Sequence, residues 1–235
     1  YVSSLFDSPR LQNVALIGMA PLLKALMQRD GESFAARTVV FGVQGPWSML
    51  GKVPIPDRLA SRGVDSIDEV NLLEVYARHQ TFWNDIGPRL KAIGTDTAVA
   101  DPVAHLARRL LQQASLNANN LGVLLEDQGF RDEAFAAYTE ARTLFRGNIS
   151  ALLNLNRMLD QGVDSPLNRE LREQLAEVKA SNRRFDIMWL SSAFGYVREP
   201  EAFSGIARIW ALTGQPEMAT RSLRKAMNLV DVDQE

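Results

Sequence analysis

The chain contains no cysteine, and that absence removes disulfides, zinc–thiolate sites and cysteine nucleophiles together. It suits an oxidising compartment as well as the cytosol, so localisation stays open. Long apolar runs are missing too. A membrane span needs about 18 to 20 consecutive apolar residues, whereas the nearest run, Val14 to Leu23, is shorter and is followed by Lys24. No basic start precedes that run and no small-residue cleavage pattern ends it, so it does not read as a signal peptide. Because the sequence opens at Tyr1 and not at Met, it is expected to be a piece of a longer chain, with any anchor upstream. Charge of one sign is scarce. A formal net charge of −2, with arginines scattered among carboxylates, gives no field toward nucleic acid or anionic membrane. His79 and His105 are the only histidines; neither has a metal-ligand partner at helical spacing, and both are expected on helix surfaces. There is no Gly-x-Ser-x-Gly elbow, Walker loop or dinucleotide fingerprint. Gly42-Val43-Gln44-Gly45 reads as an ordinary loop. No catalytic residue, metal or cofactor is expected, and the chain is not expected to be an enzyme.

What is present is ordinary globular composition, 46% apolar and 23% charged over 235 residues, enough for one large domain or two small ones. The expected division is 1–98 and 99–235. In the first part Asn13 to Gly18 reads as a buried strand or one helical turn, Ala20 to Arg29 as a helix with Pro21 in its first turn, and Thr38 to Phe41 as a strand. Together they predict a small α/β region of βαβ type. Pro46, Pro54 and Pro56 with their glycines predict loop. Ser66-Ile67-Asp68-Glu69 predicts a capped helix start, and two helices carry Leu72, Leu73, Val75, Tyr76, Phe82, Trp83, Ile86 and Leu90. Such aromatic content predicts packing between the two parts. Gly94 to Asp101 is the expected linker. Beyond Pro102 glycine and proline mark turns, and the pattern is helical throughout.

Self-similarity organises the second part. Ser115 to Asn148 contains Leu121-Gly122, Leu125, Gly129, Ala134, Tyr138, Ala141 and Leu144. In these positions the segment resembles the tetratricopeptide repeat family. Ala118 and Arg146 depart from it, standing where the family prefers tryptophan and proline. The phrase restarts at Ile149, with Asn154-Leu155 repeating Asn120-Leu121, and its partner helix, about Leu167 to Lys179, has lost the signature. A third unit runs from Pro200 through Phe203, Ile206, Ala207, Trp210, Gly214, Ala219, Leu223, Ala226 and Leu229. Ala219 follows Ala134 by 85 residues, not a whole number of periods, and an extra helix, Phe185 to Val197, is expected to take up the difference.

The resemblance implies a predominantly α, tetratricopeptide-like helical solenoid, whose first helices line a concave groove for a peptide or a partner helix. The groove-facing positions it implies are Asn119, Asn120, Val123, Asn154, Arg157 and Arg208. Asparagine amides can both donate to and accept from a peptide backbone, and arginine offers a planar fork for carboxylates. Arg157 and Arg208, at the same position of their respective units, are expected to point into one groove. The expected function is therefore protein or peptide recognition. The alternative is a ligand-binding or accessory domain of a larger, membrane-anchored bacterial protein. Partner identity and oligomeric state stay open.

Overall fold

The structure, a computed structural model, describes residues 40–41, 47, 51–96, 98, 100–181, 187–212, 214 and 216–232. The expected strand or helical turn Asn13–Gly18, the expected helix Ala20–Arg29 and the loop Gly42–Gly45 lie outside the described residues, and with them the βαβ pairing. The chain is mostly helical, with one small antiparallel sheet. It divides into two compact units. One comprises residues 1–55 and 60–70, and the other residues 56–59 and 71–235. The division therefore falls ahead of residue 71 and not at 98.

In the first unit, β1 (Val40–Phe41), β2 (Val53–Asp57) and β3 (Ala60–Val64) form a sheet of order β1-β3-β2. Val40 pairs with Ser61 and Phe41 with Ala60, antiparallel. The stretch around Pro54 and Pro56 is thus a hairpin strand and not the expected loop. Both prolines sit on an edge strand, where a missing amide donor is tolerated, and Ile55 between them is buried. Trp47 donates its indole N–H to the Ser61 carbonyl at 2.9 Å. Gly63 makes room for that ring, since a Cβ there would lie 2.4 Å from it.

The second unit begins with α1 (Leu72–Thr95). Ser66 caps only a 3-10 turn (Ile67–Glu69) before it; Asn71 caps α1, accepting from the Glu74 amide at 3.2 Å. Two helices were expected over this stretch, but α1 is continuous, with Pro88 inside it. α2 (Asp101–Asp127) and α3 (Arg131–Leu144) form a helical hairpin. Gly129 turns between them at φ +83°, a conformation that suits glycine. Gly122 is small for a measurable reason: a Cβ would stand 2.6 Å from the Tyr138 ring. Trp83 of α1 joins Leu111, Ala114, Ala118, Ala141, Leu144 and Ala151 in one core cluster. That packing ties α1 to the helices that follow it.

α4 (Ile149–Asp160) and α5 (Asn168–Ser181) follow. The expected extra helix is shorter than Phe185 to Val197: α6 spans Ile187–Phe194 and ends at Gly195, φ +92°. An extended strap, residues 195–199, leads into α7 (Pro200–Leu212) and α8 (Pro216–Val232), with Gly214 at the turn. Among the described residues no strand follows residue 102, and no helix is long and apolar enough to cross a membrane.

Candidate functional site

Of the six residues expected to line an open groove, the three asparagines are buried and bonded to the chain's own strap. α2 presents Ser115, Asn119, Val123 and Glu126 at helical spacing, so they share one face. α4 contributes its N-cap Asn148, then Ser150, Asn154 and Arg157. Asn119, Asn120, Val123 and Asn154 are all buried.

Three of these side chains hold the strap by its backbone. Asn119 Nδ2 and Asn154 Nδ2 both donate to the Tyr196 carbonyl, at 2.9 and 3.0 Å. The Tyr196 amide donates to Asn120 Oδ1 and the Arg198 amide to Asn154 Oδ1, each at 2.8 Å. Asn154 also donates to Asn119 Oδ1 at 3.0 Å. Asn148 extends the row, donating to the Phe194 carbonyl at 3.0 Å and to Ser115 Oγ at 2.8 Å, while its Oδ1 caps α4. Only backbone atoms of residues 194, 196 and 198 are read, as in recognition of an extended peptide.

Gly195 permits this approach. A Cβ there would lie 2.5 Å from Asn120 Oδ1 and 2.6 Å from Asn119 Nδ2. On either side, Leu190, Phe194 and Val197 are buried with Ala202, against Phe145, Ile149 and Leu153. Exposing those three side chains costs roughly 1.5 to 3 kcal/mol each. That is a large part of an ordinary domain's stability, so the strap is a structural element and not a loose cover.

Beside the strap sits a buried ionic cluster. Glu126 accepts from the Tyr138 hydroxyl at 2.9 Å, from Arg157 Nη2 at 2.6 Å and from Arg198 Nη1 at 3.2 Å. Arg198 also donates to Asp127 at 2.9 Å, and Lys225 of α8 reaches the same carboxylate at 2.6 Å. Burial alone would lower the Arg198 guanidinium, but Glu126 and Asp127 more than offset it and hold the group above its ordinary value. Arg157 is thus committed to Glu126, whereas Arg208 stands exposed on α7. A cleft of about 310 Å³ remains beside the strap, lined by Arg157, Arg198, Glu199, Glu201 and others, without Arg208.

Two titratable groups are buried away from this face. His105 is exposed as expected, but His79 is wholly buried on the inner side of α1, and neither ring nitrogen has a hydrogen-bond partner among the described residues. Burial pushes it down to about 4. Glu140 on α3 likewise has no partner for its carboxylate, and burial pushes it up to about 7. Among the described residues no group of three His, Cys, Asp or Glu could hold a metal ion.

Sequence reasoning missed Ser115, Glu126, Asn148, Gly195 and Arg198. Asn148 carries a signal as a helix cap, which it is. Nothing in the spacing links residues 194–198 back to α2 and α4. In comparisons with protein-family models, curated proteins and solved structures, none matches this chain.

Proposed function

We propose that the helical unit is a tetratricopeptide-like interaction module and not an enzyme, and that its partner docks on the outer face of α8 and not along the asparagine row. The supporting observation is a row of apolar side chains left in solvent. Leu223, Met227 and Val230 recur at helical spacing and are 48%, 65% and 43% exposed. α7 adds exposed Ile209 and Leu212. Exposed apolar rows of this kind mark interaction surfaces.

The internal register identifies the occupant. The 85-residue offset from Ala134 to Ala219 pairs Leu223 with Tyr138, Met227 with Arg142 and Val230 with Phe145. Tyr138 packs on α2, but Arg142, and Phe145 just past the end of α3, meet elements that follow in the chain. Tyr138 is fully buried, with Arg157 of α4 bound to the same Glu126 carboxylate. Arg142 contacts Gln174 of α5, and Phe145 stacks on Phe194 of α6 at 6.1 Å. The corresponding Met227 and Val230 on α8 call for another helix. Arg208 and Arg224, both exposed on these two helices, favour an amphipathic helix with acidic flanks.

A synthetic acidic amphipathic helix and its scrambled counterpart test this. Binding of the first alone, lost on Met227→Glu, supports the reading. Equal binding of both peptides, or binding retained by the variant, removes it. Self-association of the wild type that Met227→Glu abolishes would assign the face to a second copy.

A further inference from the structure

A second feature lies at α3, α4 and α5, away from the strap. A cleft of about 330 Å³ is lined by Thr139, Arg142, Thr143, Arg146, Leu155, Leu167, Glu170, Leu171 and Gln174. Its lining combines an apolar part with charged side chains. Leu155 and Leu171 are buried and Leu167 half-buried. Arg146 lies two residues beyond the end of α3, near enough for its charge to act against that of Arg142. Only one carboxylate in the lining, Glu170, opposes them. Glu170 accepts from Gln174 Nε2 at 2.7 Å, and Gln174 Oε1 accepts from Arg142.

The donor inventory is unbalanced in a way that points to a ligand. Thr139 and Thr143 donate their hydroxyls to carbonyls one turn earlier in α3, at 2.9 and 3.0 Å, so they have none left for the cleft. Arg142 spends two of its donors on uncharged acceptors, Gln174 and the Asn148 carbonyl. A guanidinium has five. Arg146 is exposed, and among the described residues no hydrogen bond or ion pair holds it. Burial, with Arg146 nearby, holds the Arg142 guanidinium below its ordinary value despite Glu170. This cation is partly desolvated and short of a counter-charge.

We propose that this cleft binds a phosphate monoester carried on a small apolar or aromatic group. The phosphate would span the two guanidinium forks and the apolar body would lie against Leu155, Leu167 and Leu171. Phosphate suits two forks better than a carboxylate does, because it presents three acceptor oxygens and close to two negative charges. The site is independent of the α8 face, and either can fail without the other.

Calorimetric titration with phenyl phosphate, inorganic phosphate and phenol tests it on the full chain. Phenyl phosphate should bind at least about tenfold more tightly than either fragment. Arg146→Ala, at an exposed residue, should weaken phenyl phosphate about tenfold and leave the melting temperature unchanged. Leu167→Ala should weaken phenyl phosphate and leave inorganic phosphate unaffected. Arg142→Gln should abolish binding, and should that variant fail to fold, Arg146→Ala alone decides. Phenol binding as well as phenyl phosphate, or full affinity in Arg146→Ala, would overturn the anion site. Inorganic phosphate binding as well as phenyl phosphate would overturn the apolar half.

Discussion

Two faces of the helical unit end differently. The face built by α2 and α4 is closed by residues of its own chain, with asparagine amides gripping residues 194–198. The face of α8 carries large apolar side chains and stays open. Position on a helix therefore does not by itself tell an open face from a filled one. What separates them is whether the polar groups already have partners. Asn119, Asn120 and Asn154 do, and a competing peptide would have to replace each bond while exposing Leu190, Phe194 and Val197. On α8 Leu223, Met227 and Val230 are already exposed.

The contrast can be broken most severely at Gly195. Gly195→Val would place a branched Cβ within 2.5 Å of Asn120 Oδ1 at a φ of +92°, and should cost about 3 to 5 kcal/mol in denaturant unfolding. A neutral result would mean that the strap is not seated on the asparagines. Asn154→Ala removes both donors and the acceptor of one amide at once, leaving the Arg198 amide unpaired in a buried site. A loss of about 3 kcal/mol is expected by the same measurement, against under 1 kcal/mol if the row were solvated.

Electrostatics away from both faces gives a third test. The folded value of Glu140 is raised from 4.5 to about 7, so the folded state favours its protonated form. That stability is fully present below about pH 4.5 and is lost as pH rises through 7. Glu140→Gln should therefore stabilise the protein by about 2 kcal/mol at pH 8 and leave it unchanged at pH 4. His79 has the opposite slope: its folded value is lowered to about 4, so its stability is present above about 6.5 and is lost as pH falls toward 4. The smallest effect belongs to the open face. Met227→Glu should change stability by no more than about 0.5 kcal/mol, while Ala134→Leu, at a fully buried position of the α2–α3 hairpin, should cost about 1 to 3 kcal/mol. Equal losses at both would erase the distinction between faces.

Much of the helical architecture was legible in the residues. Gly129 and Gly214 were expected at turns and stand there with positive φ; Gly122, Ala134 and Tyr138, singled out in the sequence, are found packed in the α2–α3 hairpin. The edge hairpin was not legible, because Pro54 and Pro56 mask the alternation of Val53 and Ile55. His79 was placed at the surface, since a lone histidine on an apolar helix face has no local signature of burial. The candidate site was half legible. Asparagines at 119, 120 and 154 were correctly read as able to bind backbone, but the identity of that backbone depends on a return of the chain after α6 that no local pattern encodes. Arg157 and Arg208 share a register position, yet only Arg157 has a buried carboxylate beside it.

The most direct test is amide hydrogen exchange, read residue by residue with and without a synthetic acidic amphipathic helix. The Tyr196 and Arg198 amides, donated into buried carboxamides, should be protected to nearly the level of global unfolding in both samples. New protection on adding the helix should be confined to residues 220–230 of α8. Loop-like exchange at Tyr196 and Arg198, or deprotection of residues 194–198 by the added helix, would contradict the account and return the asparagine row to the status of an open peptide groove.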